Sequence, residues 1–365
     1  MFGNILIDKI RINIPVYILI HEKININAFK RWLKNVLSKH FFQEGAFNVT
    51  EARNQVKITL TPTRFKPISD YTYTDVNLEM PSEKWLYDLL MKLGCFKSEN
   101  RRIVEACKVV KLHLTKNLIT KHPVITYIDC LSNRTYKRMK ANIIESNETN
   151  RTLSIATPKR DRKVKNTTGD RQFILYDKSQ QLRDKAGFEY VILKAPLSEE
   201  EKRLIPLKYY SEQTGYLRIS KLNLARLELQ YANSSKLKKL SQFITSNKED
   251  TGLQLSTLLD LLEDEALYSQ LEQFYTRELQ EYVFFNIPQN EPQPATRWNG
   301  IFSELISEAD TKSMIALYEE CTTEKLNNKG NFMTAVKEAQ KTASDDLYAE
   351  LYQKLGIAET VAVPA

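Results

Sequence analysis

Residues 172–182 read QFILYDKSQQL. Side chains along a strand alternate between two faces, so Ile174, Tyr176 and Lys178 fall on one side and Phe173, Leu175 and Asp177 on the other. A phenol and an ammonium group therefore stand two residues apart on the polar side. Segments of the same type occur elsewhere. VVKLHLT puts Lys111 and His113 on its polar side, and LARLELQY does the same with Arg226 and Glu228.

Working outward, residues 5–14 (ILIDKIRINI) set Ile10, Ile12 and Ile14 against Lys9, Arg11 and Asn13, and Pro15 suits the end of such a strand. Residues 47–50 and 55–61 form the arms of a hairpin joined through Ala52, Arg53 and Asn54, with Lys57 on the polar side of the second arm. Residues 102–118 read as one long strand and residues 151–156 as another. Strands that are apolar on one face only form a sheet covered on one side. The expectation is an α+β protein whose mainly antiparallel sheet is covered by helices on one face. The other face is open and carries Arg11, Lys57, Lys111, His113, Tyr176, Lys178, Arg226 and Glu228.

Helical spacing of Phe29, Trp32, Leu33, Val36 and Leu37 predicts an amphipathic helix over 26–42, and a second follows Ser82, placed to cap it, as far as Gly94. A basic helix is expected over 134–145 and another helix over 198–213. From residue 236 the pattern is helical throughout, interrupted by a linker at 287–297. The chain divides into a domain of residues 1–235 and an acidic helical domain of 236–365.

The net charge of +8 is unevenly spread. Residues 251–365 carry 19 acidic and 8 basic residues, a balance of −11, which leaves +19 for residues 1–250. Residues 97–165 alone hold 17 Lys and Arg against 6 Asp and Glu, ending in a basic loop with Lys159, Arg160, Arg162, Lys163 and Lys165. Such a front is either a solvated basic surface or, with more weight, a nucleic-acid surface. The four cysteines show no metal-ligand spacing and no CxxC pair, as in a reduced, cytoplasmic protein. No apolar run is long enough to span a bilayer, and the start is not that of a secretory leader.

The polar residues suit transfer of a phosphodiester. A histidine and a glutamate on neighbouring strands, His113 and Glu228, can ligate a divalent cation that polarises phosphate. A phenol beside such a cation and a lysine can ionise and attack phosphorus, while Lys178 can instead hold the phosphate or the leaving oxygen. Each residue also has a structural role open to it: Tyr176 as packing, Arg226 and Glu228 as an ion pair, His113 as a hydrogen-bonded surface residue.

The order IDKIRINIP, VVKLHLTKNL, FILYDKSQQL and LARLELQY resembles the rolling-circle replication initiators of filamentous phages and small plasmids, over roughly residues 5–235. The resemblance implies that Tyr176 is the nucleophile with Lys178 as its partner, and that Glu228 is a metal ligand. It implies cleavage of single-stranded or extruded origin DNA with Mg²⁺ or Mn²⁺, through a 5′-phosphotyrosyl bond that frees a 3′-OH for priming. Where the family's central strand reads arginine, hydrophobe, aspartate, this chain has Lys111, Leu112 and His113, and the histidine-hydrophobe-histidine motif of related nickases is absent. The rival reading is a non-catalytic single-stranded nucleic-acid-binding protein in which Tyr176 stacks on a base. The acidic C-terminal helices can recruit a partner such as a host helicase, or shield the basic face.

Overall fold

The computed structural model describes residues 4–41, 46–64, 82–94, 101–132, 136, 139–147, 150–156, 171–186, 190–192, 197, 199–205, 207–218, 222–231, 234–284 and 347–355. The protein is α+β, built on a nine-stranded antiparallel sheet.

The chain begins with β1 (Leu6–Pro15), followed by helices α1 (Val16–His21) and α2 (Ile26–His40). The side chain of Asn25 caps α2 by accepting from the Ala28 amide. The hairpin β2 (Phe47–Ala52) and β3 (Gln55–Leu60) turns through Arg53 and Asn54, both at positive φ (54° and 56°). Two left-handed residues in a two-residue loop match the twist of the flanking strands. A 3-10 turn, Pro62–Arg64, follows. Helix α3 (Glu83–Gly94) is capped by the Ser82 hydroxyl, which accepts from the Trp85 amide.

Then come α4 (Arg101–Ala106), β4 (Lys108–Ile119), α5 (Val124–Ser132), β5 (Lys140–Asn147), β6 (Asn150–Ala156) and β7 (Arg171–Asp177). Next are α6 (Lys178–Ala186), β8 (Tyr190–Ile192), α7 (Glu199–Leu204), β9 (Tyr210–Ser211) and β10 (Tyr216–Arg218). The described chain continues with β11 (Leu224–Tyr231), α8 (Ser234–Thr245), β12 (Leu253–Gln254), α9 (Leu255–Glu263) and α10 (Glu265–Tyr282), and a last helix covers 347–354.

The large sheet runs β2-β3-β1-β4-β11-β7-β6-β5, with β12 continuing the row of β11 along β4. A small sheet, β8-β10-β9, stands apart from it. The expected alternation sets the sheet's faces. Ile10, Ile58, Leu112, Leu114, Leu227, Leu229, Phe173 and Leu175 are buried on one side, in a single core with Leu90 of α3, Tyr127 of α5, Leu240 of α8, Leu258 of α9 and Tyr275 of α10. That core also takes in Tyr348, Leu351 and Leu355, so residues on both sides of position 235 pack together.

Four local expectations are corrected. Residues 101–106 are helix α4, not the start of the long strand: Ile103 and Val104 are both buried, and successive residues cannot share one buried face of a strand. Residues 140–147 are strand β5, not helix, because pairing along the whole of β6 decides them. The helix expected over 198–213 ends at Leu204 and gives way to the second small-sheet strand. The region after residue 236 is also not wholly helical, since β12 interrupts it. The linker expected at 287–297 and the basic loop with Lys159, Arg160, Arg162, Lys163 and Lys165 lie outside the described residues. Among the described residues, no helix is long and apolar enough to cross a membrane.

Candidate functional site

Four neighbouring strands place chemically capable side chains on the polar face, β11 supplying two of them. Arg226 lies opposite Asn117 of β4 and Tyr176 of β7; Glu228, two residues on, lies opposite Thr115 of β4 and Ile174 of β7. His113 is level with Gln230 on β11 and with Lys9 on β1. The Tyr176 phenol donates to Glu228 Oε1 at 2.7 Å, and Gln230 donates to Oε2 at 2.7 Å. Lys178 is not the last residue of the strand but the first of α6. It still lies beside the tyrosine, its Nζ 6.0 Å from the ring centre, and it donates to Gln181 at 2.7 Å.

The residue missed by strand parity is Asp8. Ile7 pairs with Leu114 and Lys9 with His113, so Asp8 is the extra residue of a β-bulge in β1. The bulge moves Asp8 from the apolar side, where counting back from Ile10 would put it, to the polar side. There it accepts from the Thr63 hydroxyl at 2.8 Å and from Arg226 Nη1 at 3.4 Å. The sequence does carry the signal. Ile5 and Ile7 are out of phase with Ile10, Ile12 and Ile14, and two apolar series of opposite parity in one strand require an inserted residue between them.

Asp8, His113 and Glu228 offer ligand atoms within 4.8 Å of one another. His113 Nε2 is buried with no hydrogen-bond partner, and its Nδ1 is 4.0 Å from Glu228. Two carboxylates and an unpartnered imidazole are a donor set that can hold a divalent cation.

The site is more enclosed than an open polar face implies. The side chains are shut in between the sheet, the Pro62–Arg64 turn and α6, leaving Arg226 1%, Lys178 2%, His113 4%, Glu228 6% and Tyr176 9% exposed. Access is through a cleft of about 190 Å³ lined by Lys9, Arg64, Tyr176, Lys178, Arg226 and Glu228, among others. Arg11, Lys57 and Lys111 stay half-buried on the β1, β3 and β4 part of the same face, where Arg11 donates to Thr59 at 3.1 Å.

Burial governs the electrostatics. It drives His113 down to about 3, helped by the Lys111 charge, so the imidazole is neutral and free to act as a ligand. It also raises Asp8, but Arg226, Lys178 and the Thr63 hydroxyl outweigh it and hold that carboxyl below the usual range. Burial and the Asp8 charge push Glu228 up against the pull of Arg226. Burial likewise drives the Tyr176 phenol well above its usual 10, with Glu228 and Asp8 adding to the rise and only Arg226 opposing it. In the protein without a cation, burial and the two nearby carboxylates favour a proton on the phenol; the expected ionisation is that of a phenol beside a bound cation and a lysine.

Comparisons with protein-family models, with curated proteins and with solved structures gave no match.

Proposed function

We propose that the chain is a replication initiation protein that nicks and rejoins origin DNA by metal-dependent strand transfer, with Tyr176 as nucleophile. The observation that carries this reading is the alignment of a phenol with a three-ligand set across four adjacent strands, at a cleft lined by Lys9, Arg64, Lys178 and Arg226.

Asp8, His113 and Glu228 would hold the ion. When bound, it supplies positive charge that polarises the phosphate and offsets the two carboxylates that keep Tyr176 protonated. The chain's own groups do the rest. Glu228 Oε1 already receives the phenol hydrogen bond and is placed to take the proton. The phenolate oxygen forms a bond to phosphorus while the bond from phosphorus to the 3′ oxygen breaks, and that oxygen, which Lys178 would stabilise, takes a proton from water to become the 3′-OH. The cations of the cleft hold the phosphate, and later attack by a 3′-OH on the phosphotyrosine reseals the strand.

The rival is a binding module without chemistry; with Tyr176 only 9% exposed and its hydroxyl engaged by Glu228, stacking of a base on that ring is not favoured. The two readings separate on incubating wild-type protein and Tyr176→Phe with labelled single-stranded origin DNA in Mn²⁺ or EDTA. Strand transfer requires a covalent adduct on a denaturing gel in Mn²⁺ only, lost in the variant. Binding without an adduct would establish the module instead.

A further inference from the structure

We infer that Gln230 is the positioning residue of the cation site: its amide fixes the plane of the Glu228 carboxylate, keeping one oxygen for Tyr176 and the other for the ion. The inference rests on the cation site proposed above and does not require that the site breaks DNA.

Glu228 is buried, and a buried carboxylate needs hydrogen-bond partners. It receives one on each oxygen: Oε1 accepts from the Tyr176 phenol and Oε2 from the Gln230 amide, each at 2.7 Å. A terminal carboxylate turns easily about its last bond. One hydrogen bond leaves that rotation open, whereas two on different oxygens close it. In the plane so fixed, Oε2 is the oxygen on the imidazole side, 4.0 Å from His113 Nδ1.

The two anchors behave differently in the proposed reaction. When the phenol passes its proton to Oε1 and bonds to phosphorus, the Tyr176 anchor is given up. Gln230 is on the other oxygen and takes no part in that proton transfer. It therefore holds Glu228 toward His113 and Asp8 while the phosphotyrosine persists and the strand waits to be resealed.

The residue type suits the task. An amide donates without bringing charge. A lysine at this position would donate but repel a cation, and a glutamate would only accept and would face Glu228 with a like charge. Gln230 reaches the carboxylate because residues i and i+2 share a face of β11. It lies level with His113 on β4 and with Gln172 on β7. Gln172 donates to Ser154 Oγ at 2.7 Å, so the neighbouring amides serve separate partners and only Gln230 is committed to the ligand.

Mn²⁺ binding is read from loss of the free-ion electron paramagnetic resonance signal, beside the thermal midpoint in EDTA. Gln230→Leu should bind Mn²⁺ about tenfold more weakly than the wild type, the lower end of what loss of an outer partner costs a metal ligand. Its midpoint in EDTA should stay close to that of the wild type, because residue 230 is half-buried. Unchanged Mn²⁺ affinity in the folded variant, whatever its midpoint, would overturn the inference. A greater loss in Tyr176→Phe than in Gln230→Leu would also overturn it, by making the phenol the anchor. Should Gln230→Leu not fold, Gln230→Asn, which keeps the amide on a shorter arm, decides in the same assay: a similar loss supports the role and an unchanged affinity refutes it. A wild type that takes up no Mn²⁺ removes the cation site and this inference together. Weakened Mn²⁺ binding in Gln230→Leu, with no adduct from the wild type on origin DNA, would remove strand transfer and leave the positioning role standing.

Discussion

Asp8 reaches the polar face only because β1 has one residue more than β4 at that point. If it completes a cation site, Mn²⁺ should raise the thermal midpoint of the wild type, by an amount equivalent to about 2.7 kcal/mol at a hundredfold excess over the dissociation constant. Asp8→Asn should lose most of that rise, and an equal rise in both proteins would remove Asp8 from the ligand set. His113 makes a separate prediction in EDTA. Its folded value of about 3 lies below the ordinary 6.5 of the unfolded chain. Between the two, the unfolded state holds the additional proton. The stability tied to a neutral His113 is therefore complete above 6.5 and drains away as pH falls toward 3, at up to about 1.4 kcal/mol per pH unit. Glu228, raised by burial, acts in the opposite sense. Urea titrations between pH 7 and 4 should accordingly be shallower in pH for His113→Gln than for the wild type. Tyr176, Arg226, Glu228 and His113 were legible in the sequence because parity within a strand is local, whereas Lys178 comes beside Tyr176 from the first turn of α6. Asp8 was not read because the bulge reverses parity, and the enclosure of the site was not because it depends on a turn and a helix from distant segments.

At the scale of elements, the β2–β3 turn holds Arg53 in the left-handed region, where a side chain without a local hydrogen-bonding group is strained. Arg53→Asn should stabilise the protein by about 0.5 kcal/mol and Arg53→Val should destabilise it by about 1 kcal/mol; chemical denaturation would show an unchanged midpoint in both if the turn were relaxed. Gly94 closes α3 against α4, and a Cβ there would overlap Val104 Cγ2. Gly94→Ala should cost about 1–3 kcal/mol by overpacking, part of it regained in the double variant with Val104→Ala. Sequence periodicity found β1, β3, β7, β11, α2 and α3, whose own residues alternate or repeat cleanly. It failed at α4, six residues long, and at β5, an edge strand whose pairing with β6 is a tertiary fact.

For the whole molecule, the contrast between a basic front and an acidic back is partly resolved inside the fold. Glu278 of α10 pairs with Arg171 at 2.8 Å and accepts from Tyr231 at 2.7 Å. Glu272 pairs with the buried Lys116 at 2.5 Å, and Glu350 accepts from Tyr127 at 2.5 Å. Acidic side chains that looked like a separate surface in the sequence thus meet partners on the covered side of the sheet. Tyr348 packs in the common core and donates to the Val283 carbonyl at 2.9 Å. Tyr348→Ala should cost about 3–5 kcal/mol and lower one cooperative calorimetric transition. A second transition appearing at its own temperature would mean that the helices melt apart from the sheet.

The bulge strand and its three neighbours bring together positions 8, 113, 176 and 228. During synthesis the first of these leaves the ribosome long before the last, and strands pair only once their partners exist. Tyr176, its acceptor Glu228 and the candidate cation ligands are therefore never brought together on a chain that stops short of β11, and the core behind them is not closed until residues 347–355 have emerged. If the proposed strand transfer holds, the protein would in this way be harmless while unfinished: the lock on that chemistry is the order in which the chain is made.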